Sequence, residues 1–151
     1  MINILRITKE MLDKDNVYVG GVNVSEEYDG SVEIEANLGI VKFKTKLWAK
    51  YSISALAGSG IKAGEGITAG WGIEAGEGIK AADGIEAGRG IEAGLSICSK
   101  WISTPLRIFA GICIWKIPGR EETEIHSEIR GGTVCFGTHV PPKPLKSEEP
   151  K

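Results

Sequence analysis

The chain has 151 residues, enough for one domain with a buried core, and a formal charge of −2 that supplies no bulk attraction for nucleic acid or membrane. No apolar run approaches the ~20 residues that span a bilayer, and the N-terminus lacks a signal-peptide pattern. Cys98, Cys113 and Cys135 are odd in number and far apart, which argues against a disulfide framework and for a reducing, cytoplasmic setting.

Residues 2–7 (INILRI) read as a short strand and residues 8–14 (TKEMLDK) as one or two helical turns. Asp15 and Asn16 mark a turn. The alternating segment 17–24 (VYVGGVNV) predicts a β element with a bulge or tight corner at Gly20-Gly21. A polar loop follows at 25–30. SVEIEA (31–36) predicts a strand with Val32, Ile34 and Ala36 on one face, and its Ile34-Glu35-Ala36 matches a phrase that recurs downstream. VKFKTKLW (41–48) predicts one amphipathic strand. Val41, Phe43, Thr45 and Leu47 face one side, and Lys42, Lys44 and Lys46 the other. ALAGSG (55–60) reads as a degenerate hexad with Ala55 at the Ile position.

Residues 61–96 then spell six hexads: IKAGEG, ITAGWG, IEAGEG, IKAADG, IEAGRG and IEAGLS. Ile and Ala stand two apart, so they share one face of a short extended segment and the polar residue between them takes the other. The G-x-G that follows is expected to reach positive φ and turn the chain. Helix is excluded, because Ile every sixth residue drifts around a 3.6-residue turn and each Gly costs roughly 1 kcal/mol relative to Ala. A flexible Gly-rich linker shares the composition but has no use for regularly spaced Ile. Neighbouring coils must bury those Ile side chains. Eighteen residues per turn would place Trp71 under Arg89 as a cation–π pair; twelve would set Lys62 beside Glu74. Eighteen is preferred.

After Ser96 the side chains enlarge. ICSKWI (97–102) reads as one more turn, Pro105 as a corner, and RIFAGICIWK (107–116) as a longer strand. Its I-x-A-G phrase begins seventeen residues after Ile91, the offset of a slipped or bulged coil. Trp101, Phe109 and Trp115 are expected to cap a narrow Ile/Ala core. Residues 117–132 form a polar excursion carrying a strand, TEIHSEI. TVCFGTHV (133–140) is the final strand, and 141–151, rich in Pro and charge, is expected to be disordered. The expected fold is all-β: a single-domain β-solenoid over 1–140 with Gly-rich hexad coils (repeat core 55–102), larger capping strands at the ends and a short N-terminal helical turn.

The hexads resemble the hexapeptide-repeat β-helices. Their phase departs from the left-handed β-helix family, which places the small inward residue two positions before the aliphatic one; here Ala follows Ile by two. That family implies acyltransferases using a histidine at an intersubunit cleft, and no histidine falls in the repeat. The Gly/Ile rhythm is also similar to the polymerising bactofilin class.

Chemistry-bearing patterns are sparse. His126 and His139 have no partner at a recognisable catalytic spacing, and His139 with Cys135 is too few ligands for zinc. The G-x-G triplets lack a strand-to-helix context, and no nucleophile elbow is present. No enzyme activity, cofactor or metal is expected. The expected role is a rigid protein-binding module, with Glu65, Trp71, Glu74, Glu77, Asp83, Glu86, Arg89 and Glu92 displayed toward a partner. One version is a phage-type inhibitor of a bacterial defence nuclease, whose acidic ladder imitates nucleic acid. Two rivals stand beside it: a self-assembling homo-oligomeric solenoid, and a nucleic-acid-binding module using Lys42, Lys44 and Lys46 with nearby Trp48.

Overall fold

The computed structural model describes residues 3–113 and 117–141. The N-terminal part supplies β1 (Ile4–Ile7), a 3-10 turn (Lys9–Met11) and β2 (Ser31–Ile34). β3 (Gly39–Phe43), β4 (Leu47–Ala49), β5 (Ile53–Ala55) and β6 (Ser59–Ala63) follow. The remaining hexads give β7 (Ile67–Ala69), β8 (Ile73–Ala75), β9 (Ile79–Ala81), β10 (Gly84–Ala87) and β11 (Ile91–Ala93). The C-terminal part holds β12 (Ile97–Ser103), β13 (Arg107–Ala110), β14 (Glu124–Ile129), β15 (Thr133–Phe136) and β16 (Thr138–Val140). The fold is all-β, and these strands pair in parallel throughout. No helix among the described residues is long and apolar enough to cross a membrane.

Pairing sorts the strands into three rows. The first is the sheet β1-β2-β5-β8-β11-β13-β15. The second sheet contains the other two rows, β3-β6-β9 and β4-β7-β10, joined through β12. Ile97 and Cys98 of β12 pair with β9, while Trp101, Ile102 and Ser103 pair with β10. Successive hexads visit the rows in rotation, and the chain returns to a row after eighteen residues. Ile61 therefore pairs with Ile79, Ile67 with Ile85, and Ile73 with Ile91. Eighteen, not twelve, is the repeat.

The alternation inside each triplet does what its chemistry requires. The six hexad Ile side chains are at most 1 % exposed and pack with their Ala partners into one continuous core. Each buried Ile contributes on the order of 1.5–3 kcal/mol, and the coils on either side supply the burial. The middle residues of these triplets point outward.

The glycines act differently from expectation. None of the hexad glycines has positive φ; among the described residues that conformation is confined to Gly39, Gly58, Gly111, Gly132 and Gly137, with Asn16 and Asn37. Their role is steric. A Cβ at Gly70 would collide with the Lys50 carbonyl oxygen, one at Gly88 with that of Gly70, and one at Gly94 with that of Gly76. The fourth hexad position is small because corner stacks directly on corner. The sixth is looser, since a Cβ at Gly72 would stand 3.5 Å from Gly90 O.

Several boundaries move for the same reason. Residues 41–48 are not one strand: β3 ends at Phe43, and Lys44, Thr45 and Lys46 form a corner whose Thr45 carbonyl accepts from Glu65 N. Thr45 is exposed, and Val41 and Leu47 each open a hexad. In the N-terminal strand the inward pair is Val32 and Ile34, in register with Ile53 and Ala55, so Ala36 falls in a turn. Ala55 occupies the Ala position of Ile53-Ser54-Ala55 rather than the Ile position, with two extra residues before Ile61. Ser59, buried in that enlarged corner, donates to Glu35 O at 2.5 Å and accepts from Leu38 N at 3.0 Å. Segment 17–24 makes isolated bridges only, Val17 to Lys42 and Tyr18 to Leu12.

At the C-terminal side, Ile97 and Ile102 are five apart rather than six. The corner is lost, and β12 runs straight from the second row into the third. This is the source of the seventeen-residue offset, with Ile91 paired to Ile108 and Ile85 to Ile102. Trp101 lies over Gly84, where any side chain would strike its ring. It and Phe109 are half-buried on the outside of the rows and do not cap the core. Residues 133–140 form two strands, because Gly137 at φ 106° sends β15 to the first row and β16 alongside β14. Strand β13 stops at Ala110. Its expected extension through Trp115 and Lys116, and the tail beyond Pro141, lie outside the described residues. The three cysteines do not share a face: Cys98 is in β12, Cys113 follows the first-row strand β13, and Cys135 is exposed in β15.

Candidate interaction groove

The corner from the third row to the first carries a stack of fifth-position side chains. Tyr51, Trp71 and Arg89 are tied by the corner backbone, with Trp71 N donating to Tyr51 O at 2.9 Å and Arg89 N to Trp71 O at 3.1 Å. Because these backbones register, the side chains superpose. The Tyr51 and Trp71 rings stand 4.8 Å apart at 57°, and the Arg89 guanidinium lies 4.8 Å from the Trp71 ring. Lys50 adds a longer contact over Tyr51, 5.6 Å to the ring. The Trp71–Arg89 pair is the one that eighteen-residue stacking requires.

Beside this stack, the middle positions of the first row bring Glu74 and Glu92 into register. Burial, the hydrogen bond to Glu74 and the negative charge of Glu74, in that order, hold the Glu92 carboxyl above its ordinary value. Burial disfavours the charged carboxylate, and the neighbouring Glu74 adds to that preference for the protonated form. Phe109 is the next residue along the row, and Leu106, Arg107, Ser52 and Ser54 complete the walls. The groove so formed has a volume of about 590 Å³. It offers two carboxyls, two guanidiniums, the rings of Trp71 and Phe109 and the exposed side chain of Leu106.

Four of the eight expected contact residues meet here: Trp71, Glu74, Arg89 and Glu92. The other four are elsewhere. Glu65 and Asp83 lie on the corner between the second and third rows, where Asp83 pairs with Lys100 at 3.4 Å. Glu77 is on the corner between the first and second rows, and Glu86 is on the third row between Thr68 and Ser103. The acids therefore divide among separate faces and corners and do not make one acidic ladder. The expected basic stripe divides too. Lys42 lies on the second row, whereas Lys44 and Lys46 lie on a corner, with Lys46 Nζ 4.1 Å over the Trp48 ring. Trp48 itself lines a different depression, with Glu27 and Glu86.

Sequence reasoning missed Ser52, Ser54, Leu106, Arg107 and Phe109 as groove residues, and Tyr51 as the ring beneath Trp71. Tyr51, Ser52 and Ser54 were findable, because LWAKYS and ISA hold the same hexad positions as ITAGWG and IEA. Leu106 was not, since it depends on where the five-residue step in β12 places the next corner. His126 pairs with Glu124 at 2.9 Å, and His139 Nε2 contacts Ser127 O at 2.7 Å. Among the described residues no three His, Cys, Asp or Glu groups gather as metal ligands. No protein-family model, curated protein or solved structure matches this chain, so its own geometry carries the functional reading.

Proposed function

We propose that the chain is a β-solenoid of eighteen-residue coils that serves as a protein-binding module through the groove between its third and first rows. The register of Ile on Ile through successive coils supports the solenoid reading. One observation carries the binding role: Trp71, Tyr51 and Arg89 stack at the surface beside exposed Leu106. Trp, Tyr and Arg are the residue types that dominate interface energetics, and here they are ordered in advance by the corner backbone, which lowers the entropy cost of docking. No chemical step is assigned to the groove. Imitation of nucleic acid is not part of the proposal, because the acids are dispersed.

The test is affinity capture from the native host with the full chain, comparing the unmodified protein with Trp71→Ala and Arg89→Glu. A partner that binds the unmodified chain and binds either variant at least about thirtyfold more weakly, the ~2 kcal/mol that marks a hot spot, supports the groove. Equal capture by all three removes it. Light scattering over a concentration series on the same samples separates partner binding from self-association.

A further inference from the structure

The second row carries a feature the groove does not use. Its outward middle positions are Lys42, Lys62 and Lys80, paired directly in register. Neighbouring strands are about 4.8 Å apart, so the three ammonium groups are stepped over roughly 10 Å. Like charges directly opposite one another destabilise a ladder. Nothing in the hexad demands them, since the equivalent position holds Glu74 and Glu92 on the first row and Thr68 and Glu86 on the third.

Among the described residues none of the three has a carboxylate within ion-pair distance. The nearby Asp13 accepts from the backbone N–H groups of Asp15 and Val17, at 2.8 and 3.0 Å, and interacts with Lys42 and Lys44 only through charge at longer range, which leaves Lys62 and Lys80 without an anionic neighbour among the ion pairs. The lysines line an open groove of about 550 Å³ together with Asn16, Ser96 and Cys98. No aromatic ring lines it, so a base laid there would find nothing to stack on, unlike the usual single-strand channel.

We propose that this lysine ladder holds a linear phosphate polymer without bases, laid across the strands along the second row. An anion supplies the countercharge that Lys62 and Lys80 lack and that Asp13 gives Lys42 only in part. A polymer is favoured over a single ion because the charges are stepped along a line rather than converging on a point. Recognition is through charge alone, so binding is steeply salt-dependent.

The experiment titrates the full chain with inorganic polyphosphate, and in parallel with an oligothymidylate, over a series of salt concentrations. The expected result is polyphosphate binding whose logarithmic salt slope is about −2, as for three neutralised charges on a flexible single strand. Lys62→Glu with Lys80→Glu should weaken it at least about tenfold by reversing two of those contacts. Lys62→Thr with Lys80→Thr should weaken it in the same direction, and both side chains are already accepted at this hexad position. Lys44→Glu, on the neighbouring corner, should leave affinity within about twofold. Absence of polyphosphate binding at low salt overturns the proposal. So does tighter binding of the oligothymidylate, or an equal loss from Lys44→Glu, which would mean bulk charge rather than the ladder.

Discussion

Glu92 is half-buried beside Glu74 at the centre of the groove, and its protonation is coupled to folding. Its carboxyl titrates above the ordinary value of 4.5, so around and above that pH the folded chain holds a proton that the unfolded chain has released. By linkage, stability then falls as pH rises from about 4.5 through the folded-state value, and the full penalty is present at neutral pH. Glu92→Gln should therefore be more stable than the unmodified chain at pH 7, and the difference should vanish toward pH 4. Urea midpoints across that range measure it; a variant that is less stable at pH 7 would contradict the raised Glu92 carboxyl. Asp13 and Glu10 are held below their ordinary values, chiefly by hydrogen bonds from backbone N–H groups, so their contributions run the other way and are lost in acid. The Glu74–Glu92 contact was hidden in the sequence because the two lie eighteen residues apart. Trp71 and Arg89, at the same separation, announced themselves through the complementarity of ring and cation.

The corner is the element in which sequence and structure part most clearly. Gly at the fourth and sixth hexad positions looks equivalent in the sequence, yet only the fourth lies against the carbonyl oxygen of the preceding coil. Gly88→Ala should cost about 1–3 kcal/mol, the usual range for forcing atoms into filled space. Gly72→Ala has ordinary clearance and no positive φ, and should be neutral or stabilising by up to ~1 kcal/mol through the unfolded chain. Chemical denaturation of the two variants distinguishes a steric role from the turn-making role that G-x-G implied, which predicts similar losses at both. Ala82 stands at the fourth position of the one hexad whose following strand, β10, begins a residue early, at Gly84, so that corner has a different shape. The failure to split 41–48 has the same origin. Lys44-Thr45-Lys46 contains no glycine, and its alternation suits a continuous strand until the Gly64-Glu65-Gly66 corner stacks against it.

For the whole molecule, the repeat length sets which deletions are silent. Removing residues 73–90 excises one eighteen-residue coil and brings Ile91 to the first-row place of Ile73. The shortened chain should keep a parallel-β circular dichroism spectrum and a cooperative transition, at a lower midpoint because each coil contributes its own burial and neighbour contacts. Removing residues 79–90 deletes two hexads and sends every later strand to the wrong row, so that chain should lose cooperativity. If the twelve-residue deletion folds as well as the eighteen-residue one, the three-row register is wrong.

The Ile-x-Ala spacing alone predicted three-residue strands and an Ile/Ala core buried by neighbouring repeats, because period-two alternation with no helical phase puts Ile and Ala on one face and a linker has no use for Ile every sixth residue. Only the folded chain decided that the pairing register returns after three hexads, that the acids scatter, and that lysines 42, 62 and 80 align. The physical reason is that a strand's outward face is composed in space by residues one coil apart. Which residues those are depends on the coil length and on every insertion or missing residue between them, such as the enlarged corner before Ile61 and the five-residue step from Ile97 to Ile102.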